Sequence, residues 1–276
     1  MAYRDILLGV ILFLNGAHGH SALRLSQDLE CNYKTAYVLV NKLREAFAAM
    51  RPDEQLGANG EHVELDGVYI GGYIKPANRA ENRIDLRKVP HPKKRSLVTM
   101  IERGPHGRAV SVVLNGESDA YWFIRKYVSP NAKLRSDEGE WGPLSGTYKD
   151  RKVVKHEECY FDEGTHINCV ENYNSGVRRA ERIYGHIAGT NTQGFANELA
   201  WRASHRRVDK KSKFERLLMT AAEVAASATW TGYWQRRKGY LWWATRYRDW
   251  QKTKLALTYQ PTIALEVRLG RESILV

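Results

Sequence analysis

Apolar residues recur at helical spacing through the first fifty positions and then give way, past residue 62, to short alternating runs broken by Gly, Pro and Asn. The first pattern predicts three helices, over Tyr3–Leu14, Ser21–Leu29 and Asn32–Met50. Asn15-Gly16 and Gly19 separate the first two, Ser21 is placed to cap the second, and Glu30-Cys31-Asn32 makes a tight turn into the third. Leu39, Leu43 and Phe47 give this last helix an apolar stripe, leaving Lys34, Lys42 and Arg44 for solvent or for DNA. This is the pattern of a helix-turn-helix. A three-helix bundle without DNA contacts has the same pattern, and six basic against six acidic residues over 1–60 give the segment no net charge.

Residues 51–61 read as a linker or edge strand. Beyond them alternation predicts strands at Val63–Ile70, Ser96–Arg103 and Arg108–Leu114, followed by a helix at Ala120–Val128, capped by Ser118 or Asp119 and stopped by Pro130. A strand at Ala132–Ser136 and a helix at Asn168–Tyr184 follow, then a helix after Gly194 through Phe195, Leu199 and Trp201, and another at Phe214–Ala228. Three strands, a helix, a strand and a helix is the order of an RNase H-like fold. The expected fold class is therefore α/β: an RNase H-like mixed-sheet catalytic domain over 62–210, preceded by an all-α helix-turn-helix domain over 1–55. A basic, Trp-rich C-terminal extension covers 211–276.

Within this frame three carboxylates stand out. Asp66 lies in the alternating strand Glu64-Leu65-Asp66-Gly67-Val68-Tyr69-Ile70 that runs into Gly71-Gly72. Asp137 ends the strand leading through Lys133-Leu134-Arg135-Ser136, and Glu171 opens the helix that begins at Asn168. A carboxylate between apolar strand neighbours costs stability unless something cationic meets it. Phosphodiester cleavage without a covalent intermediate uses two Mg²⁺ ions about 3.5–4 Å apart, held by a few hard oxygen ligands. Asp66, Asp137 and Glu171 are the expected metal ligands, with Glu138 and Glu140 competing with Asp137, Asn168 as the alternative to Glu171 and Mn²⁺ as the alternative ion. Arg178 and Arg182 share the helical face of Glu171, and Arg178, about 10 Å along the axis, is placed to grip a phosphate.

Charge adds a partner. The net charge is +12, and residues 172–255 hold seventeen basic against six acidic side chains, the footprint of a polyanion-binding protein. A loop over 75–95 carries eight basic residues, among them Lys93, Lys94 and Arg95, and Arg206 and Arg207 end a later helix. Trp230, Trp234, Trp242, Trp243 and Trp250 stand among arginines and lysines, which suits stacking on bases as well as packing in a helical subdomain. Cys31, Cys159 and Cys169 show no CxxC spacing, so neither a zinc ribbon nor a disulfide framework is expected. The apolar run Ile6–Leu14 is shorter than a membrane span and Asp5 interrupts its charged flank, so neither a signal peptide nor a membrane partner is expected.

Together these residues resemble bacterial insertion-sequence transposases of the DDE class, in the group marked by a D-G-x-Y-I-G-G strand motif. The resemblance covers Thr35-Ala36-Tyr37, Lys42-Leu43-Arg44-Glu45-Ala46, Asp66–Gly72, Lys93-Lys94-Arg95, Asp137, His166-x-Asn168-x-x-Glu171 and Glu198-x-x-Trp201-Arg202 through His205-Arg206. It implies an enzyme that excises and inserts its own mobile element, with Asp66, Asp137 and Glu171 as metal ligands and Arg178 as the basic residue seven positions after the glutamate. It further implies action as a homo-oligomer on element ends and target DNA, in the bacterial cytoplasm at the nucleoid. The chain departs from the pattern in lacking cysteine pairs, in having Arg178 where lysine is common, and in having Tyr173-Asn174 where relatives have Phe-Trp. The rival expectations are a metal-dependent nuclease of the same fold that does not join strands, and an inactive descendant that regulates by binding DNA.

Overall fold

The computed structural model describes residues 1–17, 19–71, 79–82, 94–139, 141, 144–154, 166–185, 187, 191–225, 227 and 229–232. The N-terminal helices are α1 (Tyr3–Asn15), α2 (Ala22–Asp28) and α3 (Tyr33–Ala49). Ser21 caps α2 by accepting from the Arg24 N–H, and Asn32 caps α3 by accepting from the Lys34 N–H. These side chains satisfy helix-end donors that would otherwise face no partner. The turn between α2 and α3 bends through Glu30, at φ 48.

Five strands form one sheet: β1 (His62–Ile70), β2 (Arg95–Glu102), β3 (Ala109–Leu114), β4 (Lys133–Ser136) and β5 (Arg151–Val153), in the order β3-β2-β1-β4-β5. β1 pairs antiparallel to β2 and parallel to β4, so the sheet is mixed. Alternation along the strands puts Val63, Leu65, Val98, Met100 and Val112 on one face, in a core closed by Ile124 of α4 (Ala120–Tyr127). The other face is covered by α5 (Asn168–Tyr184) and α6 (Thr192–Ser204), which bring Val177, Ala180, Ala196 and Leu199 onto Val68, Ile70 and Leu97. This is the expected α/β fold with the RNase H-like order of elements. The first strand, β1, lies at the centre of the sheet, beside β4.

The helical layer and the sheet share their packing. Residues Met1–Ser227 form one compact unit. Phe13, Val40, Leu43 and Phe47 enclose Trp201 of α6 and Leu217 of α7 (Lys210–Glu223) in a single core, so the expected boundary at 55–62 is not a break in packing and the one at 211 falls inside α7. A buried ion cluster reinforces the junction. Glu198, fully buried, accepts from Arg44 Nε at 2.9 Å, Arg202 Nε at 3.0 Å and the Tyr184 hydroxyl at 2.7 Å. Burial pushes the Glu198 carboxyl up, but the Arg44 and Arg202 charges outweigh it and hold it below its ordinary value. Arg202 also donates to the carbonyls of Phe13, Leu14 and Gly16 at the end of α1.

Arg44 therefore corrects an expectation. It is 4% exposed and turned into the protein against Glu198, so it serves the joint between α3 and α6 and presents no charge to DNA. The second unit, Ala228–Val276, is described only at 229–232, so of the Trp-rich stretch Trp230 is described and Trp234, Trp242, Trp243 and Trp250 lie outside the described residues. Lys93 lies outside them as well. Among the described residues no helix is long and apolar enough to cross a membrane.

Candidate active site

Asp66 sits in the middle of β1, opposite Thr99 of β2, on the face that α5 covers. Asp137 follows the last residue of β4, the neighbouring parallel strand, and Glu171 lies in the first turn of α5. Two adjacent strands and one covering helix thus supply the three carboxylates.

Their mutual influence appears in Asp66. Burial, then the charge of Asp137 and, less strongly, that of Glu171 push its carboxyl up from 3.8 to about 6, against lowering hydrogen bonds from the Gly67 N–H and the Asn174 side chain. The Gly67 N–H reaches Asp66 Oδ1 at 2.7 Å, and Asn174 Nδ2 reaches Oδ2 at 2.7 Å. Asn174 stands one turn beyond Glu171 on α5, is 7% exposed, and its Oδ1 has no hydrogen-bond partner among the described residues.

Asp137 is held by a tryptophan. Trp141 Nε1 donates to Asp137 Oδ1 at 2.9 Å, and the Gly139 N–H donates to the same oxygen at 3.1 Å. Trp141 is 1% exposed, and two glycines make room for its ring. A Cβ on Gly67 would stand 3.0 Å from the ring and 2.8 Å from Glu117 Oε1, and one on Gly139 would stand 2.7 Å from it. The glycine after Asp66 is thus explained by close approach. At the end of β1, Gly71 takes φ 73, a left-handed conformation favouring glycine, and its N–H donates to Glu181 Oε1 of α5 at 3.0 Å.

Of the expected phosphate contacts, Arg178 and Arg182 are exposed on α5, and Lys34 and Lys42 are exposed on α3. Lys94 and Arg95 are half-buried: Lys94 Nζ lies 4.3 Å from the centre of the Tyr69 ring and Arg95 donates to the Lys94 carbonyl. Arg206 and Arg207 are exposed at the end of α6, with Arg206 bonded to the carbonyls of Ala203 and Gly104. Asn168 is exposed at the start of α5. Sequence reasoning missed Trp141 and Asn174 as partners of the carboxylates. For Trp141 a signal was present: a tryptophan four residues after an acid in a Gly-rich turn.

The residues suit a cation. Asp66 is half-buried and held against the charges of two carboxylates, a repulsion that a divalent ion would relieve, and the unpartnered Asn174 Oδ1 is a further hard oxygen on the residue that bonds Asp66. Among the described residues no three His, Cys, Asp or Glu side chains already converge as a metal cage. Mg²⁺ takes one or two carboxylates and completes its shell with water and phosphate, so a ready-made cage is not required for it.

No curated protein matches the chain. A chain in the crystal structure of the Mos1 strand transfer complex is similar at a TM-score of 0.26, with 10% identity over 80% of this chain and 79% of that one, a likeness too slight to carry an argument. The model of the ISXO2-like transposase domain matches residues 57–204, from the entry to β1 through the end of α6, which is more than half of the chain, and the chain belongs to that family.

Proposed function

We propose that this transposase cuts DNA at the ends of an insertion element and joins the freed 3′-hydroxyl to target DNA, with Asp66, Asp137 and Glu171 as its catalytic carboxylates. The observation that carries the reading is the state of Asp66, whose carboxyl is pushed to about 6 by burial and by the charges of Asp137 and Glu171. Structural carboxylates are ordinarily paired with cations or N–H groups. One held against two others marks a place for positive charge.

Two bound Mg²⁺ ions, or Mn²⁺ in their place, would supply the charge that lets an oxygen nucleophile attack a phosphodiester and the leaving oxygen depart. The residues of the chain do the holding. Asp66 is aimed by Asn174 and the Gly67 N–H, Asp137 by Trp141, and Glu171 by the first turn of α5. Arg178, exposed on the same helix and two turns along, binds a phosphate of the scissile strand, and Arg182 extends that contact. Strand transfer by in-line displacement uses no protein nucleophile. The exposed first turn of α3, with Lys34, meets the element end, as the leading residues of a recognition helix do, and Lys42 lies further along it. The protein acts as a homo-oligomer on DNA, and the C-terminal extension adds non-specific affinity for it.

The test uses element-end DNA in Mg²⁺ with Asp66→Asn and Asp137→Asn. Both variants are expected to lose cleavage and joining while binding DNA as the unaltered protein does. Near-normal strand transfer by either variant would remove that residue from the site. Cleavage without joining by the unaltered protein would favour a nuclease, and binding without either activity would favour a regulator.

A further inference from the structure

Glu64 is a second carboxylate in β1, and its side chain is entirely buried. It lies two residues before Asp66, so both side chains point to the α5 face of the sheet. Its Oε2 accepts from the Cys169 N–H at 2.8 Å and from the Val170 N–H at 3.0 Å. Its Oε1 meets Arg103 Nε at 2.5 Å and His166 Nδ1 at 3.4 Å, and Arg103 in turn donates to the His166 carbonyl.

Cys169 and Val170 belong to the first turn of α5, whose cap residue Ile167 supplies no side-chain bond. The missing cap comes instead from a strand more than a hundred residues earlier. A carboxylate at this point satisfies two orphan donors with charge-assisted bonds and complements the positive end of the helix dipole. The tethered turn continues directly into Glu171. One strand therefore carries both Asp66 and the group that fixes the height and rotation of the helix presenting Glu171.

We propose that Glu64 is a positioning residue for the cation site: by capping α5 from β1 it sets the separation of Glu171 and Asn174 from Asp66. This rests on the function proposed above. The carboxylates must stay within about 0.5 Å of a productive arrangement for a metal site to hold its ion, and partners that orient ligands typically contribute about 10–100-fold in metal affinity. Neutral glutamine cannot do the same work. Its single carbonyl oxygen can face the α5 amides or Arg103, while its NH₂ faces the other.

The experiment uses the full-length chain and Mn²⁺ alone as the probe. Free Mn²⁺ is followed by electron paramagnetic resonance, and amide hydrogen exchange is followed at residues 169–172. Glu64→Gln is expected to weaken Mn²⁺ binding about tenfold or more and to speed exchange at Cys169 and Val170, with metal-free DNA binding unchanged. Glu64→Asp keeps a charge opposite Arg103 but falls short of α5 by one methylene, and is expected to give the same two effects in smaller degree.

Faster exchange at these amides with normal Mn²⁺ affinity, in Glu64→Gln or, if that variant does not fold, in Glu64→Asp, would overturn the inference and leave Glu64 a structural cap only. Asp66→Asn separates the two layers. Lost Mn²⁺ binding there with normal binding in Glu64→Gln defeats the positioning role alone, whereas normal binding in Asp66→Asn defeats the cation reading and this inference with it.

Discussion

Removing the charge of Asp66 should make the metal-free protein more stable while disabling it. Above pH 6 Asp66 is ionised in the folded chain despite burial and despite Asp137 and Glu171. In the unfolded chain the same group ionises near its ordinary value of 3.8. The gap between 3.8 and about 6, at 1.36 kcal/mol per pH unit, amounts to about 3 kcal/mol of stability withheld at neutral pH.

The sign follows from proton counting. Between pH 4 and 6 the folded state holds a proton that the unfolded state has released, so stability falls as pH rises through this window and the loss is complete above it. Asparagine at 66 carries no charge and escapes the fall. It keeps an oxygen for one of the bonds from Gly67 and Asn174 and loses acceptance at the other, which costs about 1 kcal/mol. The net expectation for Asp66→Asn is a gain of about 2 kcal/mol at pH 7.5, or about 4–8 °C in melting temperature for a unit of this size.

Urea unfolding in a chelator at pH 4.5 and pH 7.5 measures both the gain and its pH dependence. Added Mg²⁺ should then raise the melting temperature of the unaltered protein and not that of the variant, because only the former binds the ion when folded. A variant no more stable than the parent at pH 7.5, with parallel pH profiles, would refute the account of Asp66 as an electrostatically strained group.

Three further outcomes are expected. Glu171→Gln should abolish cleavage in Mg²⁺, and adding Asn168→Asp should not restore it; substantial turnover by Glu171→Gln would pass the role to Asn168. Arg178→Ala should lower the slope of log binding constant against log salt by about one unit on element-end DNA, and Arg178→Lys should keep most of it; an unchanged slope in Arg178→Ala excludes a phosphate contact. Glu198→Gln should destabilise the chain by about 3–5 kcal/mol in urea unfolding, because it leaves the buried guanidinium of Arg44 without its counter-charge; a loss under about 1 kcal/mol would mean that water or another group replaces it.

The elements were legible because their periodicities are local. Alternation placed β1, β2 and β3 to within a residue at each end, and the helix from Asn168 to Tyr184 stands where its amphipathic pattern puts it. β5 was not legible, since three residues at a sheet edge, two of them exposed, leave no alternating signature. Arg44 was misread for a different reason. Leu43 and Phe47 define a narrow stripe on α3, but α6 and α7, far along the chain, pack on that helix and widen its buried face to include Asn41 and Arg44. Nothing near Arg44 in the chain announces Glu198.

The same limit governs the site itself. Glu64 and Asp66 present one signal in the sequence, a carboxylate in an apolar strand, and the pattern of β1 gives no ground for treating them differently. Their distant partners do. Glu64 meets a guanidinium and two helix-end N–H groups, so its charge is answered within the protein and its work is to hold α5. Asp66 meets the charges of Asp137 and Glu171, and among the described residues Asn174 and Gly67 donate to it, so in the proposed function its charge is answered from outside. A buried acid that the fold has satisfied is architecture, and one that the fold sets against two other acids is where the proposed function puts its cations.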